Sequence, residues 1–212
     1  MAKYTTIIWD WNGTLLNDVS ICIKAMNKLL NERGISPLTE NRYRDVFTFP
    51  VRDYYEQIGF DFSVEEFDTP ALKFIEYYQN FLPMAGLFPE VDAVLRQLKN
   101  NSINQYILSA MEHNSLLLSV RSLGIEKYFT AIAGIDNHFA KSKINRGIKL
   151  IDDMNIDRSK TLMVGDTLHD MEVAEALGIN CVLVSQGHQT AKRLKVNRNI
   201  VINSLSELEY CL

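Results

Sequence analysis

Asp10-Trp11-Asn12-Gly13-Thr14 sets an acid, a glycine turn and a hydroxyl directly after the apolar run Thr6-Ile7-Ile8-Trp9. A second acidic set, Gly165-Asp166-Thr167-Leu168-His169-Asp170, follows another apolar run, Thr161-Leu162-Met163-Val164. Both runs read as buried strands, apolar on successive residues because both faces are covered. Two strand-terminal acids so far apart in sequence point to one Mg²⁺ site and a nucleophilic aspartate. Mg²⁺ takes a few carboxylates and completes its shell with water and phosphate oxygens. Asp166 and Asp170 are four residues apart across a strand-to-helix turn, so both can face one cation. A third strand, 105–109, ends on the hydroxyl of Ser109. Alone, each acid would be a helix cap or a turn former. Three polar strand ends on one edge read as a ligand site, since open parallel sheets bind ligands beyond the carboxyl ends of their strands.

The elements that must position these groups follow from periodicity. The first strand spans about 5–10, and from 17 to 81 the pattern is helical with no convincing strand. Asn17 or Asp18 can cap a helix carrying Val19, Ile23, Met26 and Leu30 on one face, with Gly34 as its stop. Thr39 can cap a second helix that ends by Pro50, and a third runs from 51 to 58. Ser63-Val64-Glu65-Glu66 has the form of a capping box ahead of a longer helix near 70–81. After Pro83 the pattern alternates: helix 89–98, strand 105–109, helix 112–123, strand 131–133, helix 142–154, strand 161–165, helix 170–177 and strand 181–185, with a last strand and helix in 200–212. Such alternation predicts an α/β fold with a doubly wound parallel sheet. The predicted core is 1–16 plus 84–212, with a helical insert at 17–83 emerging just after the first strand.

A chain of 212 residues with 47% hydrophobic and 23% charged residues suits one globular domain with an accessory lobe. A net charge of -4 argues against nucleic acid as a partner. Cys22, Cys181 and Cys211 have no metal-type spacing and read as reduced packing residues. No apolar run approaches the ~18 residues that span a bilayer, and Met1-Ala2-Lys3 leads into a strand without a signal-peptide core. The expectation is a cytoplasmic protein with no membrane partner, as a monomer or homodimer.

The ordered set Asp10-x-Asn12-Gly13-Thr14, a strand ending in Ser109, a lysine near 141–143, and Gly165-Asp166-Thr167-x-x-Asp170 resembles the haloacid dehalogenase superfamily, in its phosphoglycolate phosphatase-like branch. The resemblance covers essentially the whole chain. It implies a Rossmann-like core, a small α-helical cap where the insert falls, and hydrolysis of a small phosphorylated metabolite. By the same resemblance Asp10 is the nucleophile that forms an aspartyl-phosphate. Asp10, the backbone carbonyl of Asn12 and Asp166 hold Mg²⁺, with Asp170 direct or one layer out. Thr14, Ser109 and Ala110 bind the phosphoryl oxygens, and Lys143 or Lys141 neutralises their charge. Lys143 is the preferred of the two by motif position.

Asn12 departs from the pattern. The family's usual residue there is an aspartate that protonates the leaving alcohol and then activates water. General acid–base catalysis is worth ~10²–10⁴-fold, so an asparagine limits rate without removing the nucleophile. A slow or degenerate phosphate-binding protein is therefore one rival. A 2-haloacid dehalogenase is another, and it leaves Asp166 and Asp170 without a purpose. In the insert, Arg44 and Arg52 are candidates for a second anionic group on the substrate, while the neighbouring aromatics read as packing. His113 and His169 read as locally bonded, and Lys192-Arg193-Leu194-Lys195 as a solvated face.

Overall fold

The computed structural model describes residues 3–135, 142–196 and 199–212, with Ser142 described in its backbone alone. Strand β1 (Thr6–Trp9) opens the chain and β2 (Leu16–Asn17) follows a tight loop. Four helices come next: α1 (Val19–Asn31), α2 (Glu40–Val46), α3 (Val51–Gln57) and α4 (Asp68–Phe81). Then β3 (Gly86–Leu87), α5 (Val91–Asn100), β4 (Asn104–Glu112), α6 (His113–Ser122), β5 (Ala131–Ile135), α7 (Ser142–Asp153), β6 (Thr161–Gly165), α8 (Leu168–Leu177), β7 (Asn180–Val184), α9 (Ala191–Leu194) and β8 (Val201–Ile202) complete it. Six strands form one parallel sheet in the order β5-β4-β1-β6-β7-β8. The winding reverses around β1, which places the crevice of a doubly wound sheet beside the end of that strand. The predicted α/β architecture is the observed one.

Period-two alternation assigns the two layers. Ile7 and Trp9 of β1 pack with Val91, Leu95, Leu116 and Val120 on one face, while Ile8 packs with Leu150, Ile151, Val173 and Leu177 on the other. Both faces are covered, hence the unbroken apolar run. Helices α1–α4 have a separate aromatic-rich cluster containing Met26, Leu29, Tyr43, Tyr54, Tyr55 and Tyr78. No helix among the described residues is long and apolar enough to cross a membrane.

Three local expectations fail for identifiable reasons. The insert is rooted on a short antiparallel ribbon, β2 with β3, which two-residue strands hide from any periodicity test. The box at Ser63 caps nothing: Ser63 instead bonds Asp61, and α4 begins at Asp68. In the basic run Lys192 and Lys195 are exposed, but Arg193 is half-buried and its guanidinium donates to the carbonyls of Arg44 at 3.2 Å and Phe47 at 2.5 Å, tying α9 to the insert.

Candidate active site

The backbone N–H of Asp10 donates to the Val164 carbonyl at 2.8 Å, so the acid leaves the sheet at the middle of its carboxyl edge. Trp9 pairs with Ile107 and Val164, which sets Ser109 and Asp166 just beyond the same level. The following loop closes tightly because the Trp11 carbonyl accepts the N–H groups of Thr14, Leu15 and Leu16. Gly13 turns that loop with φ of 70°, a left-handed conformation natural to glycine. A β-carbon at Gly13 or at Gly187 would also collide with the Asp166 carboxylate.

Lys143 reaches this point from the first turn of α7. Its ammonium lies 2.5 Å from Asp10 Oδ1 and 2.7 Å from Asp170 Oδ1, and only 2% of the residue is exposed. Burial alone would lower the lysine pKa, but the Asp10 and Asp170 charges outweigh it and hold the lysine firmly protonated. Burial likewise raises Asp10, against the pull of Lys143, to about 6. For Asp170 the Lys143 charge overcomes burial and keeps the carboxyl below its ordinary value. Its other oxygen, Oδ2, accepts Thr167 Oγ1 at 2.8 Å and the N–H groups of Thr167 and Asp166 at 3.0 and 3.2 Å. With both oxygens engaged, Asp170 caps α8 and orients Lys143. Lys141 lies outside the described residues.

The oxygens of Asp10, Asp166 and Asp170 fall within 4.8 Å of one another, close enough to share an ion. Asp166 accepts the His188 N–H at 2.5 Å on Oδ2 and Thr14 Oγ1 at 3.2 Å on Oδ1. Burial and the nearby Asp10 charge push Asp166 up to about 8, despite His188, the mark of a carboxylate short of a counter-cation. Among the described residues the buried charged groups are Asp10, Asp18, Asp166 and Asp170 against Lys143 and His188. With all four acids ionised, the two cations leave two surplus negative charges, which a hard divalent cation fits.

The expected phosphate contacts divide. Ser109 and Ala110 line the cavity over Asp10. Ser109 Oγ accepts the Met111 N–H at 3.0 Å, leaving its hydroxyl proton for an anion. Thr14 is fully buried and sits outside the cavity lining, with its hydroxyl 3.2 Å from both Asp10 Oδ2 and Asp166 Oδ1. Its hydroxyl is shared between these two carboxylates. Arg44 and Arg52 also lie outside the lining. Arg44 donates to the Ser185 carbonyl across the interface between insert and sheet, and Arg52 pairs with Glu56 at 3.2 Å. Arg44 thus finds a carbonyl far away in sequence and Arg52 an i+4 acid, which sequence position did not disclose.

Asn12 is pinned by its amide, which donates to Asp18 Oδ2 at 2.9 Å and to Tyr78 Oη of α4 at 2.7 Å. Asp18 is the residue sequence reasoning misplaced. It stands at the start of α1, yet its side chain makes no cap and turns back to the loop. It accepts the Gly13 N–H at 2.8 Å, Tyr78 Oη at 2.7 Å and His188 Nε2 at 3.3 Å. These donors hold Asp18 ionised in spite of complete burial. His188, unforeseen, lies past the end of β7; burial opposes its charge, but Asp18 and Asp166 raise it to about 9. The one signal for it was Gly187-His188 at a fourth strand end, on the same edge as Asp10, Ser109 and Asp166.

One consequence is measurable at once. Lys143→Met removes the cation from two buried carboxylates, and breaking a buried pair this way costs about 3–5 kcal/mol. Equilibrium denaturation at neutral pH is expected to show that loss, shrinking in acid as the freed carboxylates take protons. An unchanged midpoint would mean that Lys143 does not neutralise them.

A sequence model described as haloacid dehalogenase-like hydrolase matches residues 7–184. A phosphoglycolate phosphatase of Mesorhizobium japonicum is 28% identical over 189 residues, covering 86% of this chain and 83% of its own. A probable phosphatase, IndB, of Dickeya dadantii is 25% identical, covering 95% and 90%. A haloacid dehalogenase-like hydrolase from Streptococcus pneumoniae superposes with a TM-score of 0.84 at 22% identity, covering all of both chains.

Proposed function

From the premise that this chain belongs to the haloacid dehalogenase-like hydrolase family, we propose that it is a Mg²⁺-dependent phosphatase acting on a small phosphorylated metabolite through an aspartyl-phosphate on Asp10. The observation that carries this reading is the Lys143 ammonium 2.5 Å from Asp10, on the strand edge that also bears Asp166. Phosphoryl transfer asks chiefly for positioning and charge stabilisation. Lys143 supplies fixed positive charge at the nucleophile, and the Ser109 hydroxyl with the Ala110 N–H orients the phosphoryl oxygens. Asp10, Asp166 and the Asn12 carbonyl would hold the cation, which when bound adds positive charge against the phosphate and keeps the buried acids ionised. Asp170, through Lys143, and Thr14, through two carboxylates, keep these groups in register. Residues 17–83 serve as the cap and 1–16 with 84–212 as the core, and the phosphatase names of the relatives favour the same reaction.

The test is turnover of 4-nitrophenyl phosphate and a set of phosphometabolites with Mg²⁺, then with EDTA. The expected result is hydrolysis that EDTA abolishes and Mg²⁺ restores. Phosphate binding without turnover would favour the degenerate reading, which Asn12 supports. EDTA-resistant halide release from 2-haloacids would replace the phosphatase reading altogether.

A further inference from the structure

We propose that the natural substrate is a small aryl phosphate monoester, one whose leaving group is a phenol. The inference rests on the phosphatase reading above and names the substrate class of that site. Two independent observations converge on it.

The first is the lining of the cavity over Asp10, about 260 Å³ in volume. Its insert side includes Phe47, Phe49, Tyr54, Phe74 and Tyr78, with the exposed Gln79 beside them. Phe49 stacks on His169 with centroids 4.6 Å apart, and Phe74 stacks on Tyr78 at 6.0 Å, so flat apolar faces are already in place. Aromatic rings prefer such offset or edge contacts with a further ring. Tyr54 is 2% exposed and, among the described residues, its hydroxyl has no hydrogen-bond partner, which offers a polar anchor in a largely apolar wall. Among the described residues on this lining, the charged cations, Lys143 and His188, are committed to Asp10, Asp170 and Asp18. His169 is bonded to Glu172 at 3.0 Å. The acid Glu112 also faces the cavity, ionised by the Asn114 and Ser115 N–H groups it accepts. A leaving group with its own carboxylate would therefore meet aromatic carbon and a like charge; burying an unpaired charge is strongly unfavourable.

The second is Asn12. With no proton-carrying acid at that position, the bond that breaks must release a group that departs as an anion. A phenol has a pKa of about 10, whereas an aliphatic alcohol lies near the ~15.7 of water. In the first step an Asp10 oxygen bonds to phosphorus, the phosphorus–oxygen bond to the ring breaks, and the phenolate leaves with the electron pair and takes a proton from water. In the second, water attacks the phosphoenzyme and releases inorganic phosphate, returning the Asp10 carboxylate.

The experiment compares kcat and KM, with Mg²⁺, for phenyl phosphate, benzyl phosphate, propyl phosphate, phosphoglycolate and 4-nitrophenyl phosphate. Benzyl phosphate keeps the ring but releases an alkoxide, so it separates recognition from leaving-group ability. Phenyl phosphate is expected to exceed benzyl phosphate in kcat/KM by at least about 10², the lower range of what an acid supplies. Benzyl phosphate should in turn have a KM at least about tenfold below that of propyl phosphate. Phosphoglycolate should fall below phenyl phosphate by more than about tenfold in kcat/KM. Ile75→Arg, which places a cation on the partly exposed part of this lining, should narrow that last gap. Phosphoglycolate or propyl phosphate equal to phenyl phosphate overturns the inference while leaving the phosphatase reading intact. No turnover of any ester, 4-nitrophenyl phosphate included, overturns both.

Discussion

Asp10→Asn is expected to reduce turnover to background while leaving the protein folded and at least as stable. The amide matches the carboxylate in shape, and its oxygen can still accept the Lys143 ammonium that now lies 2.5 Å from Asp10 Oδ1. An amide oxygen does not form the phosphoenzyme, so the variant should also fail to acquire a phosphoryl group detectable by mass after acid quench. The stability sign follows from linkage. Asp10 sits 6% exposed with its carboxyl raised, by burial, to about 6. A carboxyl raised above its unfolded value favours folding below that unfolded value and loses the contribution as pH rises through the folded one. At neutral pH the ionised Asp10 thus disfavours the folded state, and its neutral replacement removes one charge from a site with an acidic surplus. Retained activity would take Asp10 out of the mechanism. A collapse in thermal midpoint would mean that the acid is structural.

The second large effect is expected for Asn12→Asp, and the tertiary environment changes its form. Asn12 Nδ2 lies 2.9 Å from Asp18 Oδ2, so an aspartate there faces a buried carboxylate. Two carboxyls at this distance share one proton. The single variant should hydrolyse esters with poor leaving groups faster, by up to the ~10²–10⁴ an acid–base group supplies. It should also lose stability, because the buried pair must either take up a proton or hold two like charges at neutral pH. Asn12→Asp combined with Asp18→Asn restores one acid and one amide in the pair with their positions exchanged. That double variant should keep the rate gain for benzyl phosphate and recover the midpoint. Phenyl phosphate should gain less in its first step, although its kcat rises if water attack on the phosphoenzyme is limiting. Identical rates for both variants and the parent would mean that the missing acid is supplied by another group.

Much of this site was legible because it lies on strand ends. Asp10, Ser109 and Asp166 each follow a short apolar run, and a parallel sheet must bring such ends to one edge. Lys143 was legible as the first turn of a helix on that edge. The neighbours of Thr14 in the motif said nothing about where its hydroxyl points. Gly13 forces the loop so tight that Thr14 lies beneath the carboxylates. Arg44 and Arg52 lie outside the cavity lining with partners of their own, since a guanidinium in sequence shows charge but not its partner. Asp18 read as a helix cap by position, and only the return of the loop makes it the acceptor for the Gly13 N–H, Tyr78 and His188.

By itself the sequence indicated the α/β architecture, the helical insert after the first strand and the strand-end acids Asp10 and Asp166. These depend on local periodicity and on the rule that parallel strands share a ligand edge. Tertiary structure alone decided the roof of the cavity and the environment of Asn12. Both are made where α2 to α4 meet the ends of β1 and β7. Such contacts join residues such as Asn12 with Tyr78 and Tyr43 with His188, far apart in sequence and encoded by no local pattern. The spacing of a motif can name the reacting groups. The cavity over Asp10 is bounded by surfaces that exist only once the insert has packed over them.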